Sequence, residues 1–493
     1  MSFLAIPWVY WTIVAIYAAT VLGLAGIIVS ENRNPLKSLA WVTVLLTFPI
    51  GGLILYIFFG RSIKNTRMIS RRKKRALKRL EEKATLRPDG AEPEVVAHSN
   101  TQLAMMAADI SDSRFIPDSG IEIFTSGKEK FESLMADIRA ARKCVSMQYY
   151  IFEDDELGQR MADLLIEKAR QGVAVRVIYD DIGSIGVSRR FFKRMAREGV
   201  QIHPFFRVAF PPFATRINWR NHRKIVAIDG RIGYIGGMNI ASRYISGNKK
   251  FPVWRDTHLR VTGPGVAALR YSFAVDWSFM GQPLDLDSES AGHPQCVPAG
   301  SDQAGSRHNT LPASVQLVTS GPTDRWSNVE LILLKAIGAA RKRVWIQTPY
   351  FLPPESMLRA LQTAALARVD VRVMMPQRSD SAILTYASRS YISECLRAGM
   401  KFYLFSAGML HSKVVIVDDD FSSVGSANID FRSFEHNFES NLMIYGTEVN
   451  SELRRLFSDD MSRSLRLRLQ VWARRPLHHK AAESIMRLLS PVL

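Results

Sequence analysis

The feature that most constrains this chain is an internal duplication. Ala141-Arg142-Lys143 leads through an apolar stretch to Gln148-Tyr149-Tyr150-Ile151-Phe152, and Ala340-Arg341-Lys342 leads likewise to Gln347-Thr348-Pro349-Tyr350-Phe351. A helical pattern follows each copy, then a strand-like run at 173–178 in one half and 369–374 in the other. Each half next closes a helix, at Glu198-Gly199-Val200 or Ala398-Gly399-Met400. The pairs hold offsets of 196 to 200 residues and stay in order, which one slipped alignment does not produce. Strands alternating with helical patterns predict an α/β architecture.

Each copy carries the same polar triplet. The first reads Asn221-His222-Arg223-Lys224, then four apolar residues and Asp229-Gly230; the second reads Leu410-His411-Ser412-Lys413, four apolar residues and Asp418. The intervening residues are β-branched or small, which predicts a buried strand. Residues two apart on a strand share a face, so His and Lys project together. Asp229-Gly230 signals a hairpin turn, which puts the Asp at the strand's far end in a structural pairing role. Small residues and an Asn follow: Gly236-Gly237-Met238-Asn239 and Gly425-Ser426-Ala427-Asn428. Small residues admit a ligand closely, and the Asn239 and Asn428 amides and the Ser426 hydroxyl can donate to a phosphate oxygen. Asp256 lies 34 residues after His222, and Glu439 lies 28 after His411. A carboxylate on the far ring nitrogen of a histidine fixes its tautomer, so each acid is expected to support a catalytic His. A plain ion pair, with Arg255 or Arg432, is the competing use for them.

The N-terminal sixty residues point to lipid. Residues 1–30 carry no charged side chain, and neither do residues 38–60. A bilayer core of about 30 Å takes roughly 20 helical residues. Trp8, Tyr10, Trp11, Trp41, Tyr56, Phe58 and Phe59 sit near the ends of these runs, as interfacial anchors do. A helical hairpin in the membrane is the expectation. Ten basic residues from Arg61 to Arg79 precede the first acid, Glu81, which places that end in the cytoplasm and lays it on anionic lipid. The net charge is +19, and this run supplies ten of it, so the remainder is too mildly basic to favour a nucleic-acid partner. The three cysteines, Cys144, Cys296 and Cys395, form no disulfide framework or zinc spacing. The expected organisation is a hairpin at 1–60, a basic linker at 61–110, repeats at 111–280 and 313–493, and a Gly/Pro/Ser-rich connection at 281–312. The second repeat is expected to end in a basic helix.

The duplicated His-x-Lys-x4-Asp, with its Gly-Gly or Gly-Ser and Asn, resembles the phospholipase D superfamily. The hairpin, through Glu31-Asn32-Arg33-Asn34-Pro35 and Pro49-Ile50-Gly51-Gly52-Leu53, resembles its bacterial cardiolipin synthase branch. The resemblance implies two pseudo-symmetric repeats, each a mixed β-sheet flanked by helices, behind a two-helix transmembrane hairpin. It implies a multi-pass enzyme of the bacterial inner (cytoplasmic) membrane, catalytic part on the cytoplasmic side, joining two phosphatidylglycerols into cardiolipin and glycerol. The residues themselves suit a phosphodiester without metal or cofactor: one neutral imidazole attacks phosphorus, the other transfers protons, and the lysines offset charge. The superfamily's habit makes His222 the nucleophile and His411 the acid/base. Gly237 departs from the Gly-Ser pattern and offers no hydroxyl. A phospholipase D hydrolase or another phosphatidyltransferase with a different acceptor alcohol shares these residues, and a superfamily nuclease or a non-enzymatic membrane scaffold are further alternatives. The run at 205–213, rich in Phe and Pro, is either an interfacial loop or ordinary core packing.

Overall fold

A computed structural model of the chain describes residues 7–30, 35–48, 98–207, 218–282 and 310–488, with Ser490 and scattered positions between 51 and 78. The chain divides into two compact units, Met1–Ile63 with Val208–Asn218, and Lys64–Arg207 with Trp219–Leu493.

The first unit contains α1 (Pro7–Ser30) and α2 (Pro35–Thr47). Tyr17 Oη donates to the Leu45 carbonyl at 3.0 Å, and the Trp41 and Tyr56 rings meet edge to face. The thirteen residues of α2 rise about 20 Å, short of a hydrocarbon core. Among the described residues, no helix is long and apolar enough to cross a membrane. The expected second span is thus described as helix only in part.

In the second unit, the first repeat supplies β1 (Ile116–Phe124), β2 (Cys144–Tyr149), β3 (Ala174–Asp180), β4 (Gln201–Phe205), β5 (Ile225–Ile228), β6 (Ile232–Gly236), β7 (Trp254–Arg255) and β8 (His258–Thr262). The second repeat supplies β9 (Leu311–Ser320), β10 (Arg343–Gln347), β11 (Phe351–Leu352), β12 (Asp370–Pro376), β13 (Lys401–Phe405), β14 (Met409–Leu410), β15 (Val414–Val417), β16 (Phe421–Gly425), β17 (Ile429–Asp430), β18 (Glu439–Tyr445) and β19 (Ser464–Arg466). Fifteen of these form one sheet in the order β19-β13-β12-β10-β15-β16-β18-β9-β1-β8-β6-β5-β2-β3-β4. The order reads alike outward from its centre, where β1 and β9 pair antiparallel with Ile121 opposite Leu311. The two expected sheets are therefore one. The reason is that β1 and β9 would otherwise be edge strands with unpaired backbone groups, and pairing them removes both edges.

Helices cover the sheet with apolar stripes. Helix α4 (Gly127–Ala140) buries Phe131, Leu134, Met135 and Ile138, the i, i+3, i+4, i+7 face of a 3.6-residue period. Helix α5 (Glu156–Arg170) starts at Asp155, whose carboxylate accepts from Gly158 N–H at 3.0 Å. Strands β5 and β15 are buried at every position, as their Ile-Val-Ala-Ile and Val-Val-Ile-Val sequences require.

Two boundaries differ from the sequence expectation. Helix α3 (His98–Ser111), assigned to the linker, packs Leu103, Ala104 and Ala107 into the second repeat's core, and Gln316 Nε2 donates to the Ala104 carbonyl at 3.0 Å. Strand β9 begins at Leu311, so the connection ends before 312; residues 283–309 lie outside the described set. The basic run at 61–79 falls mostly outside it too, but Lys74 and Lys78 both reach Asp112, at 2.5 and 3.5 Å. Of the 205–213 run, Phe205 is buried and both Phe205 and Phe206 pack on Phe438, as core does; positions 208–213 are outside the described residues.

Candidate active site

Both triplets stand where a strand begins. His222 and Lys224 precede β5, and His411 and Lys413 precede β15, so the His-Lys pair sits on the approach to the strand rather than within it. The two-residue spacing still brings the side chains together: Lys224 Nζ donates to the His222 carbonyl, and Lys413 Nζ to that of His411. Lys413 Nζ also lies 2.9 Å from His411 Nδ1 and 3.2 Å from Nε2.

The supporting acids cross over. Glu439 meets His222 Nδ1 at 2.9 Å, and Asp256 meets His411 Nδ1 at 2.7 Å, so each histidine leans on the carboxylate of the other repeat. Each acid thus supports a catalytic histidine, as expected, and the histidine it supports belongs to the other repeat. Backbone contacts between the repeats impose the exchange. His222 N–H donates to the Phe438 carbonyl at 2.9 Å, and His411 N–H donates to the Arg255 carbonyl at 2.7 Å. Phe438 and Arg255 are the residues just before the two acids. Strand β14 pairs with β7, with Leu410 opposite Arg255, and Asn221 bridges Phe438. The competing use of the acids as partners of Arg255 or Arg432 is not what the structure shows.

Electrostatics follow from burial. Glu439, Asp256 and Lys224 are fully buried, and Lys413 nearly so. Burial, aided by Lys224 and Lys413, pushes the His222 imidazole down to about 4 against the pull of Glu439. Burial alone would raise Glu439, but His222, Lys224 and Ser426 together hold it at about 2. Burial lowers Lys413 to about 8 and takes Lys224 well below the usual amine range. Burial and Lys413 lower His411. Lys413 acts on both His222 and Lys224, so the two triplets face one volume. With both Nδ1 atoms engaged by carboxylates, Nε2 is the nitrogen left for chemistry.

The other expected residues are placed as follows. Asp229 accepts from the N–H groups of Arg142, Lys143 and Cys144, each at 2.8 Å. Asp418 does the same for Arg341, Lys342 and Arg343, at 2.7 to 2.9 Å. Both have φ near +50°, the left-handed turn conformation that Asp tolerates. They fasten the loops entering β2 and β10 and touch neither histidine. Asn239 donates to Tyr244 Oη at 2.9 Å and accepts from Ile151 N–H, while Asn428 Nδ2 donates to Asp430 at 2.9 Å. Ser426 Oγ bonds Glu439 at 2.5 Å. Each amide nitrogen thus uses one of its two N–H donors on the protein, Ser426 gives its hydroxyl to Glu439, and the lysines are the cations facing the site. Gly237 has no room for the hydroxyl its counterpart carries: a Cβ there would lie 2.1 Å from Asp256 Oδ1. The shorter acid fills the space that Ser426 fills in the other half.

Sequence reasoning missed the layer behind the dyads. Arg223 spans Asp276, at 2.7 Å, and the Glu439 carbonyl, at 3.1 Å. Arg255 reaches Asp460 at 2.9 Å and Ser412 Oγ at 3.1 Å. Gln148 and Gln347, noticed only as repeat markers, donate to Asp276 and Asp460 respectively. An acid in a largely apolar helical stretch, such as Asp276 in Val266–Phe279, was the available signal.

Similarity to known proteins runs along nearly the whole chain. A family model described as cardiolipin synthase, PLD-like domain matches residues 134–257 and 333–461, and a phospholipase D-nuclease N-terminal model matches 11–61. Cardiolipin synthase 2 of Bacillus anthracis is 40% identical over 95% of this chain and 89% of its own length. The major cardiolipin synthase of Bacillus subtilis is 37% identical over 95% of this chain and 96% of its own. The crystal structure of a phosphatidylserine synthase from Haemophilus influenzae superposes with a TM-score of 0.58 at 14% identity, covering 80% of this chain and all of that one, which speaks to the fold alone. Two histidine-lysine triplets in one buried site, and similarity along nearly the whole length, place the chain in the cardiolipin synthase family of the phospholipase D superfamily.

Proposed function

We infer that this chain is a phosphatidyltransferase that makes cardiolipin and glycerol from two phosphatidylglycerols. The observation that carries the reading is the pair of crossed His–carboxylate dyads, each beside a lysine, in a chain 36–40% identical to cardiolipin synthases. His222 Nε2 attacks the phosphorus of the first lipid, and glycerol leaves with a proton from His411. The second lipid's terminal hydroxyl then attacks the phosphohistidine while His411 takes its proton, so atoms and charge balance without an activated nucleotide. Glu439 and Asp256 hold Nδ1–H on each ring, and Lys224 and Lys413 offset charge on the phosphoryl oxygens. Asp229 and Asp418 serve the fold, the second N–H of the Asn239 and Asn428 amides is offered to a phosphate oxygen, and Ser426 positions Glu439. The donor and acceptor come from a membrane in which the N-terminal segment is a two-span hairpin, the catalytic part lying on the cytoplasmic side. The absence of charge from residues 1–30 and 38–60 and the basic run after Gly60 support that topology.

Mass spectrometry of lipids after incubating pure protein with phosphatidylglycerol tests this. Cardiolipin and glycerol in equal amounts are expected. Phosphatidic acid with no cardiolipin would make the enzyme a hydrolase instead.

A further inference from the structure

Among the described residues of the catalytic unit twelve large apolar side chains are exposed, and five of them lie near the dyads in chain position: Ile185 at 76% exposed, Trp326 at 48%, Ile383 at 46%, Val253 at 42% and Ile245 at 37%. Each belongs to a loop or a helix turn tied to a site residue. Ile185 lies five residues past Asp180, whose carboxylate accepts from the Asn221 N–H beside His222. Trp326 follows β9, whose last residue, Ser320, pairs with Glu439. Val253 and Ile245 adjoin Trp254 and Tyr244, whose rings lie 5.8 and 6.0 Å from that of His411. Ile383 follows Asp380, which accepts from Tyr350 Oη at 2.6 Å, and Lys250 Nζ joins the two loops by donating to the Ser379 carbonyl at 3.0 Å.

These four segments, 181–190, 243–253, 321–327 and 376–383, hold seven basic residues and three carboxylates, a net positive balance. Asp324 is largely buried, and burial raises its carboxyl to about 6. Arg325 stacks 5.1 Å from the Trp326 ring centroid, an aromatic with a cation beside it, as interfacial anchors are built. Isolated apolar side chains on a water-facing surface need no explanation, but five flanking one buried site, with cations interleaved, do.

We propose that the catalytic face itself seats on an anionic lipid surface, with Ile185, Ile245, Val253, Trp326 and Ile383 entering the headgroup–acyl boundary and Lys249, Lys250, Arg325 and Arg378 meeting the headgroup phosphates. The inference rests on the lipid-substrate reading above and adds a docking surface separate from the N-terminal segment. It solves a delivery problem: a lipid held by a buried site reaches it without its acyl chains crossing water.

The test uses the full chain and the triple substitution Ile185→Ser/Trp326→Ser/Ile383→Ser, all at exposed positions. On phosphatidylglycerol vesicles the variant's rate is expected to fall about tenfold or more, as lost interfacial burial predicts. On dihexanoyl phosphatidylglycerol kept monomeric, the rate stays within about twofold. A vesicle rate equal to the parent's overturns the proposal, and so does an equal fall on both substrates, which would make these residues part of the site. Brominated phosphatidylglycerol should quench parental fluorescence more than that of Trp326→Phe; equal quenching also counts against it. A parent making no cardiolipin from either substrate defeats the functional reading instead, and the Trp326 quenching then decides the surface alone.

Discussion

The crossed dyads can be separated by leaving group. Glu439→Gln removes the charge facing His222 and leaves His411 with Asp256. The cost is read from Glu439 itself: held at about 2 rather than the usual 4.5 despite burial, its carboxylate is favoured by about 3 kcal/mol at 1.36 kcal/mol per pK unit. His222, Lys224 and Ser426 share that stabilisation, so the expected loss is ~10²-fold or more in rate, toward the ~10⁴-fold of a histidine left without its tautomer-fixing carboxylate. Asp256→Asn should cost a similar factor through His411. The assay compares phosphatidylglycerol with a p-nitrophenyl ester of phosphatidic acid, whose departing phenolate needs no proton. With that substrate Asp256→Asn and His411→Ala should recover most of the first half-reaction. Glu439→Gln and His222→Ala should not, because the attacking imidazole is what they damage. If Glu439→Gln is rescued and Asp256→Asn is not, each acid serves the histidine of its own repeat and the crossing is wrong.

Three further outcomes follow from the same geometry. His222→Ala and His411→Ala should each lose at least ~10³-fold, with the double variant little worse, since members of one catalytic unit are non-additive; a single variant keeping a tenth of the parent rate breaks the shared site. The alkaline limb of kcat/KM should fall near pH 8, because Lys413, lowered to about 8, loses its charge as pH rises through that value; Lys413→Arg should move the limb upward by a unit or more, and an unmoved limb assigns it elsewhere. Gly237→Ala puts a methyl where Asp256 Oδ1 stands and should imitate Asp256→Asn in the leaving-group assay; parent-like turnover would show that the carboxylate has room to move.

Much of this site is written in local spacing. His-x-Lys, the Asp-Gly turn and the small-residue stretch before each Asn are short-range signals, and they locate both halves. The pairing of acid to histidine is not local. It arises because Phe438 meets His222 and Arg255 meets His411 across the repeats, and no separation along the chain reports that contact. The same holds for α3, whose Leu103 and Ala107 could pack on either repeat until β9 is seen beside them. Asn239 and Asn428 carry donors suited to phosphate, and the sequence did not show that Tyr244 and Asp430, a few residues on, take one N–H of each. The joined sheet was hidden because neither β1 nor β9 carries a motif, and their pairing joins residues about 190 apart in the chain.

The central claim is that one histidine becomes covalently bound to the lipid phosphoryl group in a site built from both repeats. Acid-stable trapping is not expected of a phosphohistidine, so the measurement is rapid alkaline quench of the enzyme with phosphatidylglycerol, followed by peptide mass spectrometry. The account predicts a phosphatidyl adduct on the peptide containing His222, absent in His222→Ala and slowed ~10²-fold or more in its formation in Glu439→Gln. An adduct on His411, or cardiolipin production with no adduct on either histidine, would contradict it.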